Sequence, residues 1–255
     1  MQNELHDSPS LPRAYGSAGW TVDDNALLIY DRYDIWRLDP TGKSDPICLT
    51  EGYGRANEIQ FRYRALDSDQ RAIDPNESMM LSAFNDRTKA SGFYVLEPSR
   101  EDADEEASSD ESLHQLIMLD ESLGRLQKAD DSNEVIFTRN TFRMCPDLWC
   151  SDTNFEKIDR ISDINPQQDE YVWGDAELVH WKAGDGQDLD GILIKPDGFD
   201  PSMKYPMMVY FYERNSNNLH SYYTPAAGRS IICHSFYVSR GYLVFIPDIP
   251  YKTGE

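Results

Sequence analysis

A recurrence constrains the fold more than any other feature of this chain. "ALLIYDRYDIWRLDPTGK" (Ala26 to Lys43) reads as a strand, a break at Asp31-Arg32, a second strand and a Pro-Thr-Gly turn. "SMMLSAFN" followed by "SGFYVLEPS" (Ser78 to Ser99) repeats that plan, and Asn133 to Ser162 repeats it again. Leu28, Met80 and Val135 hold similar places in their units, 52 and 55 residues apart, and the second strands carry Trp36, Tyr94 and Trp149. A period of about 50 residues built from short antiparallel strands fits propeller blades. A closed propeller needs about four to eight blades, so three units fit the end of one. An ordinary β-sandwich fits the same pattern.

The pattern changes after "NPQQDEYVWGD" (Asn165 to Asp175), a polar, punctuated stretch that reads as a linker. Next comes a hairpin, with strands Glu177 to Trp181 and Leu189 to Lys195 around an Asp185-Gly186 turn. A strand over Met207 to Tyr212, a helix-compatible segment over Arg229 to Ser239, a Gly241 stop and a strand over Tyr242 to Asp248 come after it. Apolar strands alternating with a helical segment suggest the start of an open α/β sheet. Two parts are therefore expected: residues 1–170 as the C-terminal blades of a β-propeller, and residues 171–255 as the start of an α/β domain.

The formal charge of −21 repels nucleic acid and anionic membrane, which argues against both as partners. Much of it sits in "EDADEEASSDES" (Glu101 to Ser112), which reads as a solvated loop. No run of about 18 apolar residues exists, so no membrane span is expected. The first residues show neither the basic start nor the apolar core of a signal peptide. Cys145 and Cys150 are spaced C-x4-C without an accompanying histidine pair, a poor zinc pattern. A disulfide stays open, and the four cysteines do not fix a compartment.

"DGILIKPDGFDPSMKYPMMVYFYE" (Asp190 to Glu213) and "SRGYLVFIPD" (Ser239 to Asp248) resemble the prolyl oligopeptidase family of serine peptidases. "YFYERNS" and the segment from Pro247 are similar to a dipeptidyl peptidase IV-like branch of Bacteroidetes-type bacteria. The resemblance implies a propeller followed by an α/β-hydrolase domain that cuts oligopeptides by a Ser-Asp-His mechanism, with no metal and no organic cofactor. In α/β-hydrolases the nucleophile sits in G-x-S-x-G. The nearest match here is "YGSAG" (Tyr15 to Gly19), where Ser17 reads as a loop serine. In the family the triad comes later, so it is expected beyond residue 255 and this chain alone is expected to be inactive. His6, His114, His180, His220 and His234 do not stand where the family places its base, and each is expected to be structural or exposed.

The family also uses a tyrosine after the third strand to donate to the oxyanion, and the "KYP…Y" spacing puts Tyr212 there. A phenol with an ordinary pKa of about 10 stays a donor at neutral pH. An aromatic capping the sheet edge is the competing reading. Glu213, Arg214 and Asn215 replace the Gly-Gly-Pro turn of many relatives, and Glu213 or Arg214 could contact a charged substrate end or form an exposed ion pair. A non-enzymatic propeller binding module stays open, as does an esterase or acylaminoacyl hydrolase on the same scaffold. The resemblance admits a homodimer of the full-length protein and favours the periplasm over the cytoplasm.

Overall fold

The computed structural model describes residues 1–98, 112–226 and 232–251. Apart from Ser112, the acidic run from Glu101 lies outside the described residues, as do residues 229–231 of the expected helix. The described chain is mostly small sheets, with very little helix.

The strand–break–strand plan appears three times, each inside a four-stranded sheet. The first sheet, β1 (Ser17–Trp20), β2 (Leu27–Tyr30), β3 (Ile35–Leu38) and β4 (Ile47–Cys48), is an antiparallel meander. The second, β5 (Ile59–Tyr63), β6 (Met79–Asn85), β7 (Ser91–Leu96) and β8 (Leu113–Leu119), repeats it. The third holds β9 (Ser122–Lys128), β10 (Glu134–Asn140), β11 (Asp147–Asp152) and β12 (Asp159–Arg160). Ile29 lies opposite Trp36 in the first sheet, and Leu81 lies opposite Tyr94 in the second. The two aromatics thus occupy matching register positions. Leu28, Met80 and Val135, which mark the recurrence, are all buried. Ser17 is the first residue of β1, which corrects its reading as a loop serine, and the next element is the strand β2 instead of a helix.

The chain divides into two compact units. One comprises Met1–Leu119, Arg125–Ile136 and Ser151–Ile158, and the other comprises Asp120–Gly124, Phe137–Cys150 and Asp159–Glu255. In the first unit Leu28, Ile35, Phe61, Leu81 and Tyr94 belong to one buried cluster, with Phe61 and Tyr94 edge to face at 5.0 Å. The Asp31-Arg32 break is a tight turn in which the Asp31 carboxylate accepts the amides of Tyr33 and Asp34 at 2.7 and 2.6 Å. Buried Asp34 then accepts from Thr50 Oγ1 at 2.7 Å, Gly54 N at 2.9 Å and Arg55 N at 3.0 Å. It thereby caps the single turn α1 (Tyr53–Asn57). Gly92 has no room for a side chain, because a Cβ there would lie 2.0 Å from the Ile117 carbonyl.

The second unit contains a mixed sheet in the order β13 (Asp175–Lys182), β14 (Asp188–Lys195), β16 (Leu243–Pro247), β15 (Met207–Val209). β13 and β14 form the expected hairpin, β14 and β16 are antiparallel, and β15 and β16 are parallel. A parallel pair needs a crossover, and α2 (His234–Val238) lies in it. Gly241, at φ +80°, ends that helix in a Schellman arrangement: Gly241 N bonds Val238 O at 3.0 Å and Tyr242 N bonds Tyr237 O at 3.2 Å. Val238, Ile192, Ile194, Val244 and Ile246 are buried together with Phe142 and Trp173. Trp173 lies in the stretch expected to be a polar linker, yet its indole donates to the Phe142 carbonyl at 2.8 Å and stacks on Tyr222.

Also in this unit, Asp147 is buried at the start of β11. Burial pushes its carboxyl up. Hydrogen bonds from Ser162, from Arg160 and from the Leu148 and Ile164 amides outweigh that, and hold it below the ordinary carboxylate range. A depressed folded pKa means that this stabilisation is complete above the unfolded pKa of about 3.9 and is lost as pH falls through the folded value. Asp147→Asn should therefore cost roughly 1–3 kcal/mol at neutral pH. Urea unfolding at neutral and acidic pH should show this deficit shrinking as the solution is acidified below the ordinary carboxylate pKa. A deficit independent of pH would contradict the assignment.

Candidate functional site

The parallel ladder between β15 and β16 breaks off for a chemical reason. Leu243 N donates to the Pro206 carbonyl at 2.9 Å, and Tyr210 N donates to the Phe245 carbonyl at 2.9 Å. Donors on one strand edge recur every second residue, so the next donor from β16 toward β15 would be residue 247. That residue is proline and has no N–H. β15 accordingly ends at Val209, and the expected strand to Tyr212 is corrected by three residues. The ladder resumes when Ile249 N donates at 2.8 Å to the carbonyl of Glu213. Strict register would place that bond on Tyr212. One extra residue is accommodated in between, and Glu213 takes a left-handed φ of +51°. A bulge of this kind re-aims side chains and is common next to active sites.

The consequence for the aromatic residues is direct. Tyr210 remains half-buried against the core of the mixed sheet, whereas Tyr212 is 66% exposed beyond the C-terminal end of β15. The structure therefore does not enclose the Tyr212 ring. Glu213 and Arg214 are exposed beside it, and neither forms an ion pair with another described residue.

Three residues that the sequence reading gave no role hold this loop. Asp248, immediately after β16, is 9% exposed. Its Oδ1 accepts Asn215 N at 2.6 Å and Ser216 N at 2.8 Å, and its Oδ2 accepts the Ser216 hydroxyl at 2.5 Å. Asp248 N is itself tied to the Asp190 carbonyl of β14 at 2.8 Å. The Asn215 side-chain amide donates back to the Tyr212 carbonyl. The available sequence signal was Pro247-Asp248, a proline that withholds a donor where a strand ends and a carboxylate placed next to it.

The remaining candidates lie elsewhere. His180 Nδ1 pairs with its cross-strand neighbour Asp190 at 2.7 Å, on the exposed side of the hairpin. His220 Nε2 faces Asp120 at 3.0 Å, and burial lowers its pKa. His234 is buried with neither ring nitrogen bonded to another described residue, and burial lowers its pKa. His6 bonds the Ser10 carbonyl, and His114 is exposed on β8. All four cysteines are free, and among the described residues no group of acidic, histidine or cysteine side chains is arranged to hold a metal. No described helix is long and apolar enough to cross a membrane. A separate cavity of about 1350 Å³, lined in part by Trp173, Tyr222, Cys145, Cys233 and Phe236, includes none of Tyr212, Glu213 and Arg214.

No family model matches the sequence, and no curated protein matches it. Solved structures do. The chain aligns with Porphyromonas gingivalis dipeptidyl peptidase 4 at a TM-score of 0.61 and 16% identity, over 93% of this chain and 33% of that one. It aligns with a post-proline cleaving enzyme from Rickettsia typhi at a TM-score of 0.54 and 13% identity, over 94% and 33%. Pyrococcus horikoshii acylaminoacyl peptidase gives a TM-score of 0.52 and 13% identity, over 96% and 34%. At these identities the likeness is one of fold. The chain spans about a third of the length of the structures it resembles.

The left-handed turn at Glu213 is open to test. Left-handed backbone costs a side-chain-bearing residue roughly 1–2 kcal/mol, and glycine adopts it freely. Glu213→Gly should leave the urea midpoint unchanged or raise it slightly. Glu213→Val should lower stability by about 1 kcal/mol or more. Equal midpoints for the two variants would remove the turn from the description.

Proposed function

We propose that this chain belongs to a serine-type peptidase of the prolyl oligopeptidase kind. Residues 1–170 carry the C-terminal blades of its β-propeller, and residues 171–255 open its α/β-hydrolase domain. The observation that carries the reading is the exposed Tyr212 phenol, bowed out at the C-terminal end of a parallel strand. Ligands of open α/β sheets bind at that end. The order of the mixed sheet, its parallel pair with a helical crossover and the likeness to three peptidase folds support the same reading.

In the proposed reaction a serine attacks the carbonyl of an oligopeptide bond, and negative charge develops on the former carbonyl oxygen. The Tyr212 phenol donates a hydrogen bond to that oxygen, strengthening as the charge forms. Because the phenol is already held out from the sheet, it need not reorganise at the moment of reaction. Glu213 and Arg214 present both signs of charge beside it, where a substrate terminus would lie. The nucleophile, its base and the orienting acid are supplied by sequence beyond residue 255, so the chain by itself has no acyl-transfer activity.

Two measurements test this. In the full-length protein, Tyr212→Phe should lower the acylation rate about 10²–10³-fold with KM nearly unchanged. Unchanged turnover of Xaa-Pro and Xaa-Ala p-nitroanilides would take Tyr212 out of the mechanism. The chain of 255 residues should not be labelled by a fluorophosphonate probe, and stoichiometric labelling of any of its serines would overturn the assignment of the nucleophile.

A further inference from the structure

We infer that Asp248 is a positioning residue for Tyr212, an assignment that rests on the role proposed above for the phenol. Four observations carry it. Asp248 is anchored to β14 by its own amide and reaches across to the loop with both carboxylate oxygens. It thus links the rigid sheet to a segment that has lost its ladder bonds at Pro247. Asn215, whose backbone amide the carboxylate holds, returns a side-chain hydrogen bond to the carbonyl of Tyr212. The path from Asp248 to the backbone of the phenol is therefore one residue long. Third, Ser216 is 3% exposed and donates its hydroxyl to the same carboxylate, so the clamp is closed to water on that side.

The fourth observation is energetic. Burying a carboxylate is costly, and among the described residues Asp248 has no cationic partner to offset the cost. Three charge-assisted donors compensate instead, all from the loop after Tyr212. A rigid, short clamp serves a phenol whose oxygen must meet a developing charge, because a misplacement of about 1 Å can cost roughly 10²-fold in rate.

The test is a double-mutant cycle in the full-length protein, read as kcat and KM on whichever of the Xaa-Pro and Xaa-Ala p-nitroanilides is cleaved. Asp248→Ala should lower kcat about 10- to 100-fold, with KM changed less than about threefold. Asp248→Asn keeps an oxygen acceptor for the two amides and should recover most of the loss. Asn215→Ala removes the link to the Tyr212 carbonyl without disturbing the buried carboxylate, and should lower kcat several-fold in a protein that melts normally. In the Tyr212→Phe background, Asp248→Ala should add less than about a threefold further loss, because both changes remove the same donor. Losses that multiply in the double variant, or an Asn215→Ala variant with unchanged kcat, would overturn the inference while leaving Tyr212 in its role. Tyr212→Phe with unchanged kcat would instead overturn that role. Hydrogen exchange gives an activity-free reading: Asp248→Ala should speed exchange at the Asn215 and Ser216 amides and leave the β14–β16 amides slow, and equal protection in both proteins would count against the clamp.

Discussion

A single missing hydrogen governs the candidate site. Pro247 has no N–H to offer β15, so the parallel ladder stops after Tyr210 and the chain is free to leave the sheet. The same proline is tolerated on its other side, where it faces Gly191 of β14 across an antiparallel pair. Beyond Tyr210 the path of the chain is forced by the need to satisfy backbone groups near a packed sheet. Ile249 bonds one residue late, Glu213 turns left-handed, and Phe211 and Tyr212 are carried outward while Tyr210 stays against the core. An exposed aromatic beside a β16 buried over Val244, Ile246 and Pro247 would otherwise be hard to explain.

The chain uses carboxylates as local fasteners, which changes how its acidity should be regarded. The charge of −21 suggests a uniformly solvated negative surface. Several of these groups are instead inside: Asp31 closes the β2–β3 hairpin, Asp34 caps α1, Asp147 gathers Ser162 and Arg160, and Asp248 gathers Asn215 and Ser216. Each sits where a strand begins or ends, the point at which backbone donors lose their ladder partners. A carboxylate with two oxygens can take two or three such donors at once, which a hydroxyl or amide does less well.

The sequence made most of the scaffold legible because that scaffold is local. The three strand–break–strand units, the hairpin around Asp185-Gly186 and the helix stop at Gly241 all derive from side-chain alternation and turn chemistry within about ten residues. The candidate site was half legible. Tyr212, Glu213 and Arg214 could be singled out because they lie side by side at the end of an apolar run. The end of β15 was misjudged because the deciding residue lies on another strand: β-propensity carries "MMVYFY" straight to Tyr212, and only the proline opposite stops it. The Asp248 clamp was invisible for the same reason, since its partners lie 32 and 33 residues away in sequence. Trp173 was hidden by its polar neighbours, which gave the stretch the look of a linker.

That tryptophan bears on how the molecule can be dissected. Its indole is fastened to the Phe142 carbonyl, and both rings share a core with Ile192 and Val244. Phe142, before the polar stretch that begins at Asn165, thus lies in one core with Ile192 and Val244, which come after it. Scissors placed at that stretch, whether a protease or a cloning boundary, would not release two finished halves. They would open a wound in the interior of one, and Phe142 would leave with the wrong piece.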